Sequence, residues 1–146
     1  MAQITHFFAG ANSGNGFQNL FSEMVDLEDT YDFMILKGGP GVGKNTFMRE
    51  IGKTMERAGT PVEYLWCSGD PDSLDGVVMP ELRCAVADGP VPMSWSRNIR
   101  RQWTGTWTGR FYDLAAAKAS AGEVKARTHQ YQSAYVRAYR CLRAAR

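Results

Sequence analysis

Apolar positions come in short runs early in this chain and at helical spacing late in it. The opening QITHFFAG alternates and is β-branched and aromatic, which predicts a strand closed by the turn-rich ANSGNG. FQNLFSEMVDLEDTYD then sets Phe17, Leu20, Phe21, Met24 and Leu27 on one face, with Asn15 as N-cap, so a helix is expected. DFMILK is a short apolar run of the buried-strand kind. NTFMREIGKTMERAG repeats Phe47, Ile51 and Met55 at every fourth position and stops at Gly59, the pattern of a second helix. PVEYLWC reads as the next strand, and residues 82–87 as another that ends in Asp88-Gly89-Pro90. CSGDPDSLDGVVMPE, between those two strands, reads as a loop. From Phe111 onward the chain is alanine-rich and helical, with Tyr131, Tyr135, Tyr139 and Leu142 in one stripe and Arg137, Arg140 and Arg143 largely away from it.

Strand, glycine-rich loop, helix and strand make a βαβ unit, whose two strands are expected to be parallel and its crossover right-handed. The predicted class is therefore α/β: a three-layer fold with a parallel sheet, followed by a C-terminal helix. A length of 146 residues suits one domain. Neither a secretory signal pattern nor an apolar run of membrane-spanning length is present, so a cytosolic protein without membrane contact is expected. Cys67, Cys84 and Cys141 are widely spaced and odd in number, which favours reduced thiols over a disulfide framework or a zinc site. Charge is uneven: residues 1–96 carry 6 Lys+Arg against 13 Asp+Glu, and residues 97–146 carry 11 against 2. That basic tail suits either nucleic acid or the solvated face of a helix covering an acidic body.

The chemistry concentrates in ILKGGPGVGKNTF. The pattern G-x-x-x-x-G-K-[ST] is met by Gly38, Gly43 and Lys44 and broken only at Asn45. Gly38, Gly39, Gly41 and Gly43 let the backbone curl around Pro40 and Val42, so that several N–H groups converge on one concavity at a helix N-terminus. Lys44 brings a point charge to the β- and γ-phosphates of a nucleotide such as ATP, and the next hydroxyl normally ligates Mg²⁺. Asn45 stands in that place. Its amide is neutral and longer than serine, and Mg²⁺ demands near-ideal octahedral distances, so phosphate binding is expected to outlast Mg²⁺-dependent hydrolysis. Thr46 offers its hydroxyl one position on, where an α-phosphate is the usual contact.

Asp88, ending an apolar strand, is the candidate acid for Mg²⁺, with a turn aspartate before Gly-Pro as the plain alternative. Asp70 and Asp72 lie where an open α/β sheet places substrate contacts, and either is suited to orient a water or an acceptor hydroxyl, or to cap a turn. A calcium loop over the same residues fails, because Leu74 falls on a ligand position and Gly76 is one residue late. His6 and His129 read as packing or surface residues.

In order, HFFAGANSGNGF, ILKGGPGVGKNTFMREIG, VEYLWCSGDPDSLDGVVMPEL and CAVADG resemble the first part of a largely uncharacterised bacterial P-loop ATPase family with two tandem P-loop halves. The resemblance covers residues 3–89 and resumes at GRFYD. It implies phosphate binding by residues 38–44, a metal role for Asp88, and a DPDSLDG loop bordering the site. It also implies a second P-loop half that this chain lacks. Family members usually carry serine or threonine at position 45. After Asp88-Gly89 they continue with a Thr-Ala-Pro-His-Val-Val type of segment, where this chain has PVPMSWSRNIRRQWTGTWT with three tryptophans and three arginines. Synonymous codons for PMSWSRNIRRQWTGTW, read one base earlier, spell a Pro-His-Val-Val segment of the family's kind. A frame slip across residues 92–108 accounts for the change and predicts a stretch not selected to pack, poorly ordered or loosely placed.

The expected organisation is a nucleotide-binding core at residues 1–90, a foreign insert at 91–109 and a basic helix at 110–146. ATP binding is the expected function, with ATPase activity weakened by Asn45. A small-molecule or nucleotide kinase, a basic nucleic-acid module and an inactive fragment are the alternatives.

Overall fold

The computed structural model describes residues 2–26, 29–89, 102–106 and 114–145. Its strands are β1 (Ile4–Phe8), β2 (Gly10–Ser13), β3 (Gly16–Asn19), β4 (Asp32–Lys37), β5 (Val62–Trp66), β6 (Leu74–Met79), β7 (Cys84–Asp88) and β8 (Gln102–Thr106). Its helices are α1 (Lys44–Arg57), α2 (Leu114–Ala119) and α3 (Ala121–Ala144). Six strands form one mixed sheet in the order β1-β5-β6-β7-β4-β8, and β2 pairs with β3 alone.

The α/β class and the C-terminal helix are as expected; the all-parallel sheet is not. β6 runs antiparallel to both β5 and β7, while β1 pairs parallel with β5, and β4 parallel with β7 and β8. The strand before the glycine loop and the strand after α1 therefore do run in one direction, but with β6 and β7 between them. The cause is the segment expected as a loop. The Ser73 amide donates to the Asp70 carbonyl at 2.8 Å and the Cys67 amide to the Ser73 carbonyl at 2.9 Å, so the chain reverses after β5 and returns as β6.

The helix expected from Phe17 onward is also corrected. Gly14 and Asn15 form a two-residue turn between β2 and β3, and a single 3₁₀ turn, Phe21–Glu23, follows. The Ser13 hydroxyl donates to the Gly16 carbonyl at 2.9 Å and accepts from the Asn15 amide at 3.2 Å. Gly16 has φ 100, which a side chain would resist. Asn15 is thus a hairpin-turn residue and not a helix cap.

Side chains alternate across the sheet, and both faces are apolar. Phe33, Ile35, Leu65, Val78, Ala85 and Ala87 pack beneath Ala9, Met24 and Val25 from the hairpin region. Leu36, Val62, Tyr64, Val77 and Val86 pack on the other face against α1, whose Met48 is fully buried and whose Phe47, Ile51 and Met55 form the predicted stripe. Among the described residues, the first face is thus covered by a hairpin and a 3₁₀ turn. The poor order expected of the foreign segment is corrected at Gln102–Thr106, which pairs in register along β4, because backbone pairing asks little of side-chain identity. Residues 92–101, 107 and 108 lie outside the described residues.

Gly52, in the middle of α1, faces the Tyr64 ring, which stacks on His6 at 5.1 Å and donates its hydroxyl to Glu56. A Cβ there would overlap the Tyr64 ring and hydroxyl. We expect Gly52→Ala to destabilise the fold by about 1–3 kcal/mol through this overlap, although alanine alone would favour the helix by about 1 kcal/mol. Chemical denaturation checks this; an unchanged or higher stability would contradict the packing of α1 on β5.

Candidate functional site

The glycine loop leaves the end of β4 and enters α1 without a side-chain cap. Gly41 (φ 77) and Gly43 (φ 94) hold left-handed conformations that turn the backbone into the first helical turn. Gly43 is the N-cap residue and makes no side-chain cap hydrogen bond. Val42 is buried beneath the loop, whereas Pro40 and Thr46 face the cavity in front of it.

Lys44 does not point outward. Its ammonium donates to the carbonyls of Gly38 at 2.6 Å and Gly39 at 2.8 Å, and lies 3.6 Å from the Asp88 carboxylate. Only 8% of the residue is exposed. Lys44 and Asp88, far apart in sequence, are thus brought together.

Asn45 has a different job from the one its position suggests. Its amide oxygen accepts from the Leu74 amide and from Arg49 Nε, each at 3.1 Å, and its amide nitrogen donates to the Asp72 carbonyl at 3.3 Å. Arg49 also donates to the Asp72 carbonyl at 2.6 Å and stacks over Trp66 at 4.9 Å. A carbonyl oxygen has two lone pairs, and both are used. In this arrangement Asn45 staples the start of α1 to the β5–β6 turn and offers no lone pair to a cation.

Asp70 lines the same cavity, but its carboxylate accepts from the Ser73 hydroxyl at 2.6 Å, which makes it a turn-capping residue. Asp72 lines a separate hollow with Arg49 and Trp66. His6 is a packing residue, accepting from the Trp66 indole at 3.1 Å. All three cysteines are free.

Sequence reasoning gave no separate role to Asp75. It lies at the start of β6, one step beyond the Gly76–Ala87 pair of β6 and β7, and so falls opposite Asp88. Both carboxylates line the cavity. Burial raises both above the ordinary carboxylate range; at Asp88 it outweighs the Lys44 ammonium, and the Asp75 charge adds to the rise. At Asp75 the Cys67 thiol, hydrogen-bonded to it, offsets part of the effect. The sequence signal was available as an acid one residue before a glycine at the head of VVM, hidden because the run was read as loop. Among the described residues, no group of three or more His, Cys, Asp or Glu side chains is placed to hold a metal ion. A cation here would depend on one or two carboxylates together with ligand phosphates, the usual arrangement for Mg²⁺.

The cavity encloses about 980 Å³. Its far wall comes from the tyrosine stripe of α3. Tyr139 donates to the Asn12 side chain at 2.6 Å, and Arg143 Nε to the Gly14 carbonyl at 3.1 Å. The stripe thus lines the same cavity as the glycine loop. Compared with known family models, curated proteins and solved structures, the chain gives no match. No described helix is long and apolar enough to cross a membrane.

Because their carboxyls are raised, Asp75 and Asp88 hold protons more tightly folded than unfolded. Their contribution to stability is complete below the ordinary carboxylate value of 3.8 and is lost as pH rises through the raised values. We expect Asp75→Asn to melt above the wild type at pH 7, with the difference shrinking as pH approaches 4. Thermal melts across that range check it; a variant that melts lower at pH 7 would contradict a strained carboxylate.

Proposed function

We propose that residues 38–46 bind the polyphosphate of a nucleoside triphosphate, and that the chain is a P-loop NTPase unit of three-layer descent. The supporting observation is the Lys44 ammonium held inside the loop by the Gly38 and Gly39 carbonyls and by Asp88. An incoming phosphate exchanges those partners for a stronger one, since charge-assisted bonds to phosphate exceed those to neutral carbonyls. The amides of Gly41, Gly43 and Lys44 then meet the remaining oxygens at the positive end of α1. ATP is the ligand class this reading favours. A cytosolic setting, where such nucleotides are abundant, belongs to the same proposal.

Asp88 and Asp75 are the residues that would hold Mg²⁺, which neutralises charge at the β–γ bridge when bound. Asn45 is excluded from that set by its two accepted hydrogen bonds. Binding is therefore expected to exceed turnover. Where turnover occurs, loop amides and Lys44 stabilise the charge that develops on the leaving phosphate. A second reading, phosphoryl transfer to a small molecule, is favoured by the room beside Asp75 in the same cavity. A phosphorylated acceptor rather than free phosphate among the products would mark it. Nucleic-acid binding through the exposed Arg137 and Arg140 of α3 would instead fall steeply with salt and ignore ATP.

Calorimetric titration with ATP tests the proposal. Lys44→Met, which keeps the aliphatic stem, is expected to weaken binding by about tenfold or more. Removing Mg²⁺ is expected to change affinity by less than about threefold, because the hydroxyl ligand is missing. Equal binding by Lys44→Met would overturn the phosphate-loop reading; a Mg²⁺ enhancement of about a hundredfold would overturn the role given to Asn45.

A further inference from the structure

We propose that the tyrosine ladder of α3 is a nucleobase subsite selective for purines. The proposal rests on reading the glycine loop as a triphosphate cradle. The two line one cavity of about 980 Å³, to which the loop, Lys44 and Asp88 contribute charged walls and Tyr131, Tyr135 and Tyr139, with Phe17 and Phe21, aromatic ones. A cavity with both charged and aromatic walls matches a ligand with a charged tail and a flat, neutral head.

The ladder is built and held, not simply a helix face. Tyr131 and Tyr135 have ring centroids 4.7 Å apart and Tyr135 and Tyr139 5.9 Å apart, tilted by 52° and 55°. The Tyr139 hydroxyl is fixed by Asn12, whose amide nitrogen reaches the Ser68 carbonyl at 3.4 Å. Gly14 lets α3 approach, since a Cβ there would lie 3.1 Å from the Arg143 backbone. Gly69 leaves space for the Tyr135 hydroxyl, which would stand 3.2 Å from a Cβ at that position.

These rings contribute little to the core. No described residue of α3 is buried; Tyr135 and Tyr139 are half-buried, Tyr131 is 60% exposed and Phe17 46% exposed. Aromatic surface left open inside a cavity, beside a phosphate-type loop, is what a stacking base covers. A purine covers more of it than a pyrimidine, so ATP and GTP should bind more tightly than CTP and UTP.

Titrating the intact chain with ATP and, separately, with inorganic triphosphate separates this subsite from the loop. The wild type is expected to prefer ATP by about tenfold or more, the scale of stacking one base on an aromatic platform. Tyr135→Ala should abolish that preference while leaving triphosphate affinity unchanged, and Tyr135→Phe should keep it. Triphosphate affinity in Tyr135→Ala also reports whether the cradle is still folded. Equal wild-type affinities for ATP and triphosphate would overturn the base subsite while leaving the loop reading intact. An equal loss for both ligands in Tyr135→Ala would assign Tyr135 a structural role and also overturn the subsite. If neither ligand binds the wild type, the loop reading fails and the subsite with it.

Discussion

The Lys44 ammonium ends inside the turn that precedes its own helix, and three elements meet on it. A charge that is 8% exposed must be paired and hydrogen-bonded, or its desolvation would unfold the site. The Gly38 and Gly39 carbonyls from the end of β4 and the Asp88 carboxylate from the end of β7 supply those partners. Because β4 and β7 pair directly and in parallel, the carboxylate and the loop arrive at the same end of the sheet. Satisfying one cation therefore fixes where α1 starts, how the loop curls and which way the cavity opens.

Position 45 illustrates how one residue changes what such a loop can do. A hydroxyl there would be short and free, whereas the asparagine amide reaches the β5–β6 turn and bonds Leu74, Arg49 and Asp72. Asn45 thereby connects α1 to the reversed strand β6. Asp75 and Asp88 stay half-buried with carboxyls raised by burial, at a cost to stability at neutral pH.

Much of this was legible from residue order alone where local chemistry and tertiary context agree. β4, α1, β5 and the run into Asp88 all follow from their apolar spacing, with Gly59 (φ 83) stopping α1 as expected. Where the two disagree, the sequence misled. Phe17, Leu20, Phe21 and Met24 fit a helical face, but Gly14-Asn15 is also a hairpin turn, and turn geometry prevailed over a short periodic match. β6 was hidden because Asp70, Asp72 and Asp75 make its approach look like loop, while only VVM reads as strand. Its antiparallel direction depends on a turn that no hydrophobic pattern encodes. The tyrosine stripe was visible, but its partner was not, since the contacts of Tyr139 with Asn12 and of Arg143 with Gly14 join the two ends of the chain.

The most direct test of the central claim is an amide-resolved NMR titration of the chain with inorganic triphosphate. If the loop cradles phosphate, the largest downfield amide shifts will fall on Gly41, Gly43, Lys44 and Asn45, with Asp88 responding as Lys44 changes partner. Shifts that leave these amides unmoved and follow the arginines of α3 would contradict it.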